Sequence, residues 1–169
     1  MARKELKPSD LTAIIDNKEK TPWDLAPLKT IKGTLYTADY SLLGLTSEIA
    51  LERKSLFDLL GVIGQHRERF EHELLRLKSF PVKAIIVEAT FEEFSAARWL
   101  EKGIYPWQSR LKPEAAMGSV LSWIAQGFPI VFAGDASKAS LCAARIMFIA
   151  AKQRWKQLNS FYDNLRISS

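Results

Sequence analysis

Apolar residues recur along the chain in two rhythms, short unbroken runs and spacings of three to four, and their order predicts strands first and then alternating helices and strands. Thr12-Ala13-Ile14-Ile15 is a short apolar run ending at Asp16-Asn17-Lys18-Glu19, which predicts a buried strand whose end releases polar residues into a loop. A second strand is predicted over residues 29–36, where Ile31 and Leu35 sit among polar neighbours. Ala38-Asp39-Tyr40 leads to a turn around Gly44, with Asp39 expected at the end of its own strand, before a hairpin. Ile49-Ala50-Leu51 forms a third strand that runs into Glu52-Arg53-Lys54. From Ser55 the period lengthens: Leu56, Leu59, Leu60 and Ile63 mark the buried face of a helix for which Ser55 is the N-cap.

Gly64-Gln65-His66 separates that helix from a second over about residues 67–79, with Phe70, Leu74 and Leu77 on one side. Ala84-Ile85-Ile86-Val87 is wholly apolar, the pattern of a strand buried on both faces. Helices are predicted over residues 91–102, 113–126 (Pro113 suits a first helical position) and 137–156, with a strand over 128–132 and a turn at Gly134-Asp135. An irregular stretch passes through Pro106 and Trp107. This is the order of an α/β domain with a mixed central sheet flanked by helices. No repeat, low-complexity stretch or linker divides it, so residues 11–169 are read as a single domain behind a polar, flexible arm over residues 1–10.

Composition narrows the classes. The 169 residues suffice for one core, and 47% hydrophobic with 25% charged residues is a globular balance, not a disordered one. No run approaches the roughly 20 apolar residues that span a bilayer. The start, MARKELKPSD, lacks the apolar core of a signal peptide, so a membrane partner and export are not expected and a cytoplasmic location is. A single cysteine, Cys142, excludes an intramolecular disulfide and speaks against a thiolate zinc cluster. Lys and Arg exceed Asp and Glu by 24 to 19, a net +5 that is compatible with a polyanionic partner without requiring one.

The candidate chemistry gathers at predicted strand ends. Alternation puts Glu52 and Lys54 on one face of their strand and Arg53 on the other. A carboxylate and an ammonium side by side, with Asp39 from a neighbouring strand, make a minimal site for phosphodiester hydrolysis. Two acids can hold divalent cations that polarise the phosphate and acidify a bound water, and the lysine can orient that water or stabilise developing charge. Glu-x-Lys alone is a common solvated strand edge. Its company is what matters: Asp16 and Glu19 follow one strand, Asp39 lies by another, and Asp58 stands one turn into the next helix. Acids gathered in this way are costly unless a cation neutralises them.

The runs IIDNKEKTPW, TADYSLL and EIALERKSLFDLL resemble the nuclease domain of the XPF/Hef family of structure-specific endonucleases, within the restriction-endonuclease-like superfamily. That family carries Asp-x-Arg-Glu, Gly-Asp-Tyr, Glu-Arg-Lys and Ser-x-x-Asp-Leu in this order. The similarity is strong from Ala13 to Glu88, taking in Arg69-Phe70 and KAIIVEA, and weaker as far as the helix after Gly134-Asp135. It implies a restriction-endonuclease-like fold and Mg²⁺ or Mn²⁺ held by Asp39, Glu52 and the main-chain carbonyl of Arg53. Lys54 would be the catalytic lysine and Asp16 a supporting acid at the site, with Glu19 beside it and Asp58 and Arg53 holding the scaffold. Two positions depart from the pattern. Lys18 replaces an arginine, keeping charge but losing the bidentate fork, and Ala38 replaces a glycine, which suggests a less tight turn. The sequence shows no helix-hairpin-helix or helicase region, and a stand-alone domain of this kind resembles phage or prophage nucleases of repair and recombination, acting in a bacterial or phage-infected cell.

The implied function is cleavage of branched or single-strand-containing DNA, with a homodimer expected because members of that family pair. A non-catalytic DNA-binding or partner module, and a sequence-specific restriction-type nuclease, are the alternatives on the same fold. Lys18, Arg67 and Arg69 are candidate DNA contacts. Glu73 either belongs to a solvated helix face or reaches the site, and Glu88 either approaches the site or caps the next helix. His66 and His72 lack the spacing of a metal pair. Asp135 reads as a helix cap, Arg145, Lys152, Arg154 and Lys156 as a wet basic face, Trp107 and Trp123 as core or dimer face, and Cys142 as core.

Overall fold

The computed structural model describes residues 5–101 and 110–167, so residues 1–4 of the predicted arm, Lys102, Pro106 and Trp107 lie outside the described residues. Six strands form one sheet in the order β2-β1-β3-β4-β5-β6: β1 (Thr12–Asp16), β2 (Lys29–Gly33), β3 (Tyr40–Leu42), β4 (Ile49–Ser55), β5 (Val82–Glu88) and β6 (Ile130–Phe132). Only β3 runs against the rest. It pairs antiparallel with β1 and β4, whereas β1 with β2, β4 with β5 and β5 with β6 are parallel. Around the sheet lie α1 (Leu56–Gly64), α2 (Arg67–Leu77), α3 (Phe91–Ser95), α4 (Arg98–Glu101), α5 (Pro113–Ala125) and α6 (Ala136–Ile167). The mixed sheet flanked by helices is the architecture predicted from the apolar rhythm.

Two cores form because period-two alternation feeds both faces of the sheet. On one face Ala13, Ile15, Tyr40, Leu42, Leu51 and Ile86 meet Ala139, Ala143, Met147 and Ala150 of α6. These are mostly alanines at helical spacing, so α6 lies close across β4 and β5. On the other face Ala50, Ile85 and Val87 meet Leu59 and Leu60 of α1, Phe70 and Leu74 of α2, and Val120 and Trp123 of α5. Phe70 and Trp123 cross edge to face at 4.9 Å. Burying each such large side chain contributes roughly 1.5–3 kcal/mol.

Several boundaries differ from expectation, each for a local reason. β2 stops at Gly33, not Tyr36, because the chain turns away there: a Cβ on Gly33 would stand 3.0 Å from Ile14 Cγ2, and the Leu35 amide is taken by the Asp16 side chain. Asp39 does not end a strand but precedes β3, and the reversal of β3 brings it to the sheet edge where β1 and β4 end. The helix predicted over residues 91–102 is two short ones, broken where Ala97 takes φ +52°, which lets Trp99 turn into the core. α6 continues to Ile167, since no glycine or proline stops it at Lys156. Cys142 is half-buried and outside the core clusters. Of the expected arm, Pro8–Asp10 form a single 3-10 turn and Leu6 packs against the α6 core.

The turn before Asp39 also differs from the expectation of a looser one. Ala38 adopts φ +64°, the left-handed conformation that glycine takes without strain. The turn is kept, and the alanine carries its strain. Ala38→Gly is therefore expected to stabilise the protein by about 1 kcal/mol, read as a higher urea midpoint. A midpoint unchanged or lowered would show that no strain is stored there.

Candidate active site

The site is assembled where three adjacent strands come together: Asp16 ends β1, Asp39 immediately precedes β3, and Glu52 and Lys54 lie on β4. On β4, Glu52 and Lys54 face the α1–α2 side and Arg53 the α6 side, as alternation requires. Leu51 pairs with Tyr40, so Asp39, one residue before Tyr40, comes to stand beside Glu52. The backbone fixes it there: Asp39 N donates to Leu51 O at 3.1 Å, and Arg53 N donates to Asp39 Oδ2 at 2.8 Å. Asp16 N donates to Asp39 O at 2.8 Å, which adds the end of β1 to the row. Lys54 Nζ donates to Glu52 Oε1 as an ion pair and lies 5.1 Å from the centre of the Phe70 ring.

Burial sets the charges. Desolvation, reinforced by the charge of Glu52, pushes the Asp39 carboxyl up to about 7, against the pull of the Arg53 amide and Lys54. Desolvation also raises Glu52, although the charge and hydrogen bond of Lys54 oppose it. Lys54 is pulled down by its own burial, but the charge and hydrogen bond of Glu52 win and hold it above its ordinary value. Asp16 goes the other way. Burial would raise it, but amide hydrogen bonds from Leu35 and Lys18, with the charges of Lys18 and Lys32, hold it below the usual carboxylate range. Its two oxygens are thus engaged with loops: Lys18 N reaches Oδ1 at 2.9 Å and Leu35 N reaches Oδ2 at 2.8 Å.

Behind the row, Arg53 ties three segments together. Its Nε donates to Glu88 Oε1 at 2.8 Å, its Nη1 to Glu19 Oε1 at 3.1 Å and to the Thr21 carbonyl. Trp23, stacked on Tyr40 with ring centres 4.7 Å apart, lies under the Arg53 guanidinium and donates its Nε1 to Glu88 Oε1 at 2.6 Å. Glu88 is therefore an anchor for Arg53, and the cap of α3 is Thr90. Asp58 is held by the Ser55 hydroxyl at 2.6 Å at the start of α1.

Asp16, Lys18, Glu19, Asp39, Glu52, Arg53, Lys54, Asp58 and Arg69 all line one cavity of about 600 Å³. Arg67 does not: it donates to Ser119 Oγ at 2.8 Å and to Glu71, and its guanidinium lies over Trp123 of α5. Glu73 does line the cavity, and its charge acts on both Glu52 and Lys54. Arg76, Tyr36 and Phe57 line it too. The three-residue spacing of Phe70, Glu73 and Arg76 along α2 was the available signal for the first two acquisitions from that helix; Tyr36 and Phe57 gave none beyond proximity in sequence.

The donor set fits a hard divalent cation of low protein coordination. Glu52 is buried with Asp39 half-buried beside it; burial disfavours both as anions and the charge of Glu52 disfavours Asp39 further, the situation a cation relieves. Asp39 Oδ1 takes no hydrogen bond among the described residues. No three His, Cys, Asp or Glu side chains are placed to share one ion among the described residues, so protein side chains supply two carboxylates and the remaining positions fall to main chain, water or phosphate.

No protein-family profile and no curated protein matches the chain. Among solved structures it is similar to the XPF from Aeropyrum pernix, at 18% identity and a TM-score of 0.61, over 82% of this chain and 61% of that one. It is also similar to the XPF from Aeropyrum pernix in complex with DNA, at 17% identity and a TM-score of 0.60, over 85% of this chain and 66% of that one. The chain spans less than two thirds of the length of either structure. No helix among the described residues is long and apolar enough to cross a membrane. The six-stranded mixed sheet with its flanking helices is thus the fold of those XPF structures, as the sequence resemblance implied.

Proposed function

We propose that the protein is a Mg²⁺- or Mn²⁺-dependent endonuclease that hydrolyses phosphodiester bonds in branched or single-strand-containing DNA, in repair or recombination. The observation that carries this reading is the adjacent Asp39–Glu52 pair with Lys54 on Glu52, at the end of the sheet in an XPF-type fold. Asp39 and Glu52, with the main-chain carbonyl of Arg53, would hold the cation. When bound, it would polarise the scissile phosphate and lower the pKa of a water nucleophile.

The chain's own groups do the rest. Lys54 Nζ keeps its proton while Glu52 is charged beside it, so it acts as a fixed ammonium for the charge that builds on the phosphate and orients the attacking water. Asp16 contributes by clipping the loops on either side of the cavity, and Glu19 and Glu88 by holding Arg53. Asp58 steadies the first turn of α1. Lys18 and Arg69 are the proposed phosphate contacts; Arg67, engaged with Ser119 and Glu71, is left out. Phosphate contacts carry no base information, so preference follows DNA shape. Two copies pairing, as the resemblance implies, would double the mass in light scattering; a monomeric mass at micromolar concentration contradicts it.

Glu52→Gln and Lys54→Gln are expected to lower cleavage of forked and flapped DNA in Mg²⁺ by about 100-fold or more, with DNA binding retained. Wild-type protein that leaves forked, flapped and single-stranded DNA intact in Mg²⁺ and Mn²⁺ sinks the proposal, and unchanged cutting by either variant misplaces the site.

The raised Asp39 carboxyl gives a pH dependence of definite sign. The folded protein holds that proton up to about pH 7, whereas an unfolded aspartate releases it near 4. Folding of the metal-free protein therefore takes up a proton between these values, and this contribution to stability is lost as pH rises through about 7. Cation binding must displace the same proton. The rise in melting temperature caused by Mg²⁺ is expected to be larger at pH 8 than at pH 5.5, and Asp39→Asn should abolish the difference. Equal Mg²⁺ shifts at both pH values in the wild type would rule out Asp39 as the titrating ligand.

A further inference from the structure

The apolar stripe that packs α6 on the sheet does not end where the sheet does. Ala144 and Ala151 are buried in that core, and Leu158 and Leu165 continue the line at the same interval of seven residues, about two turns of helix. Met147 is buried too, and Phe161 follows it on the same side two such intervals later. Trp155 and Tyr162 flank the line, three residues before Leu158 and Leu165. Yet these five later side chains, Trp155, Leu158, Phe161, Tyr162 and Leu165, are 39–60% exposed.

The helix leaves the sheet at Arg154. Its Nε donates to Glu48 Oε2 at 2.9 Å, and Glu48 directly precedes β4, at the end of that strand away from Glu52 and Lys54. From there α6 runs on to Ile167, about 20 Å of helix at 1.5 Å per residue. The five open side chains leave roughly 500 Å² on one face, at 150–250 Å² for a whole aromatic side chain. Two such faces together reach about 1,000 Å², the area a specific interface needs. Between Trp155 and Leu165 the charged residues, Lys156 and Asp163, fall on the far side of the helix. The stripe can therefore meet its own copy with no like charges opposed, which suits the self-complementary contact of a two-fold dimer. A phosphate chain drawn to Lys156 would lie away from it.

We propose that the last turns of α6 pair with the same turns of a second copy, stripe against stripe, and so hold a homodimer together at the end of the sheet opposite the candidate active site. This rests on the pairing proposed above and names the surface that makes it. Seven-residue spacing is the pattern by which one helix packs along another, with each side chain set between those of the facing helix. The contact leaves both cavities clear of the interface, since each lies beyond the other end of β4.

The test is sedimentation equilibrium of the full chain, without DNA or metal, from about 1 to 100 µM, a range that brackets micromolar pairing. Wild type is expected at twice the chain mass at the upper end. Leu158→Glu and Phe161→Glu, both at exposed positions, are expected to be monomeric throughout, and Phe161→Ala to weaken pairing by roughly tenfold or more. Ile149→Glu, at a comparably exposed apolar position on the far side of α6, is expected to keep the dimer. A wild type that stays monomeric would mean that the stripe serves a different partner, and it overturns the proposal. Undiminished pairing in both glutamate variants, or an equal loss in Ile149→Glu, overturns it as well. The mass is read without DNA or metal, so none of these results touches the endonuclease reading, which stands or falls with cleavage by the wild type.

Discussion

Two carboxylates, half-buried Asp39 and buried Glu52, stand side by side with one ammonium to share, and the surrounding structure exists to hold that arrangement. Left to solvent, the two would separate; in the folded chain the Asp39 carboxyl is driven up to about 7 because it is partly desolvated and Glu52 is beside it. What prevents relaxation is backbone. The Arg53 amide binds the Asp39 carboxylate, the Leu51 carbonyl takes the Asp39 amide, and both belong to the strand that carries Glu52. Lys54, on the same strand face, is itself confined over the Phe70 ring of α2. Each member is fixed by an element that would lose a ladder bond or a packed ring if the member moved.

Alternation along β4 divides the labour between its two faces. Glu52 and Lys54 point to the chemistry, while Arg53 points away and carries the mechanical connection. Its guanidinium joins the loop after β1, through Glu19 and Thr21, to the end of β5, through Glu88, and Trp23 covers it. A partly buried guanidinium with two carboxylates and an aromatic face is a setting that lysine could not reproduce, since the planar fork serves several acceptors at once. Side-chain contacts on the α6 side therefore fix the geometry of the side chains on the α1–α2 side.

Much of this was legible in the sequence because it is local. The apolar runs at Ala13-Ile14-Ile15 and Ala84–Val87 gave buried strands, and the one-residue gap between Glu52 and Lys54 gave a shared face. Ser55 followed by Asp58 gave the start of α1. What escaped was set by pairing at a distance. β3 is three residues long, too short for a periodic signal, and its direction alone decides that Asp39 opens a strand instead of ending one. Glu88 could have capped a helix or reached the site; its engagement with Arg53 and Trp23 depends on the register of β4 with β5 and on a loop from the far end of the chain. The strain at Ala38 was invisible for another reason: alanine reports nothing about the sign of φ.

Asp16 links the loops beside the cavity to the row that holds Asp39, and its charge explains how. It belongs to the same row as Asp39, yet its carboxyl is held low by amides from the loops on either side, so it stays ionised where Asp39 is protonated. The hydrogen bond from Leu35, next to Tyr36, therefore persists whether or not Asp39 carries charge. The loop that presents the exposed ring is ordered by an anion that needs no cation, while the reacting pair becomes fully anionic only when a cation or a rise in pH removes the Asp39 proton. The cavity's loop is thus ordered independently of the ionisation that the proposed catalysis needs. That loop is already in place in the metal-free state, and in the proposed enzyme only the cleavage step waits on the ionisation of Asp39.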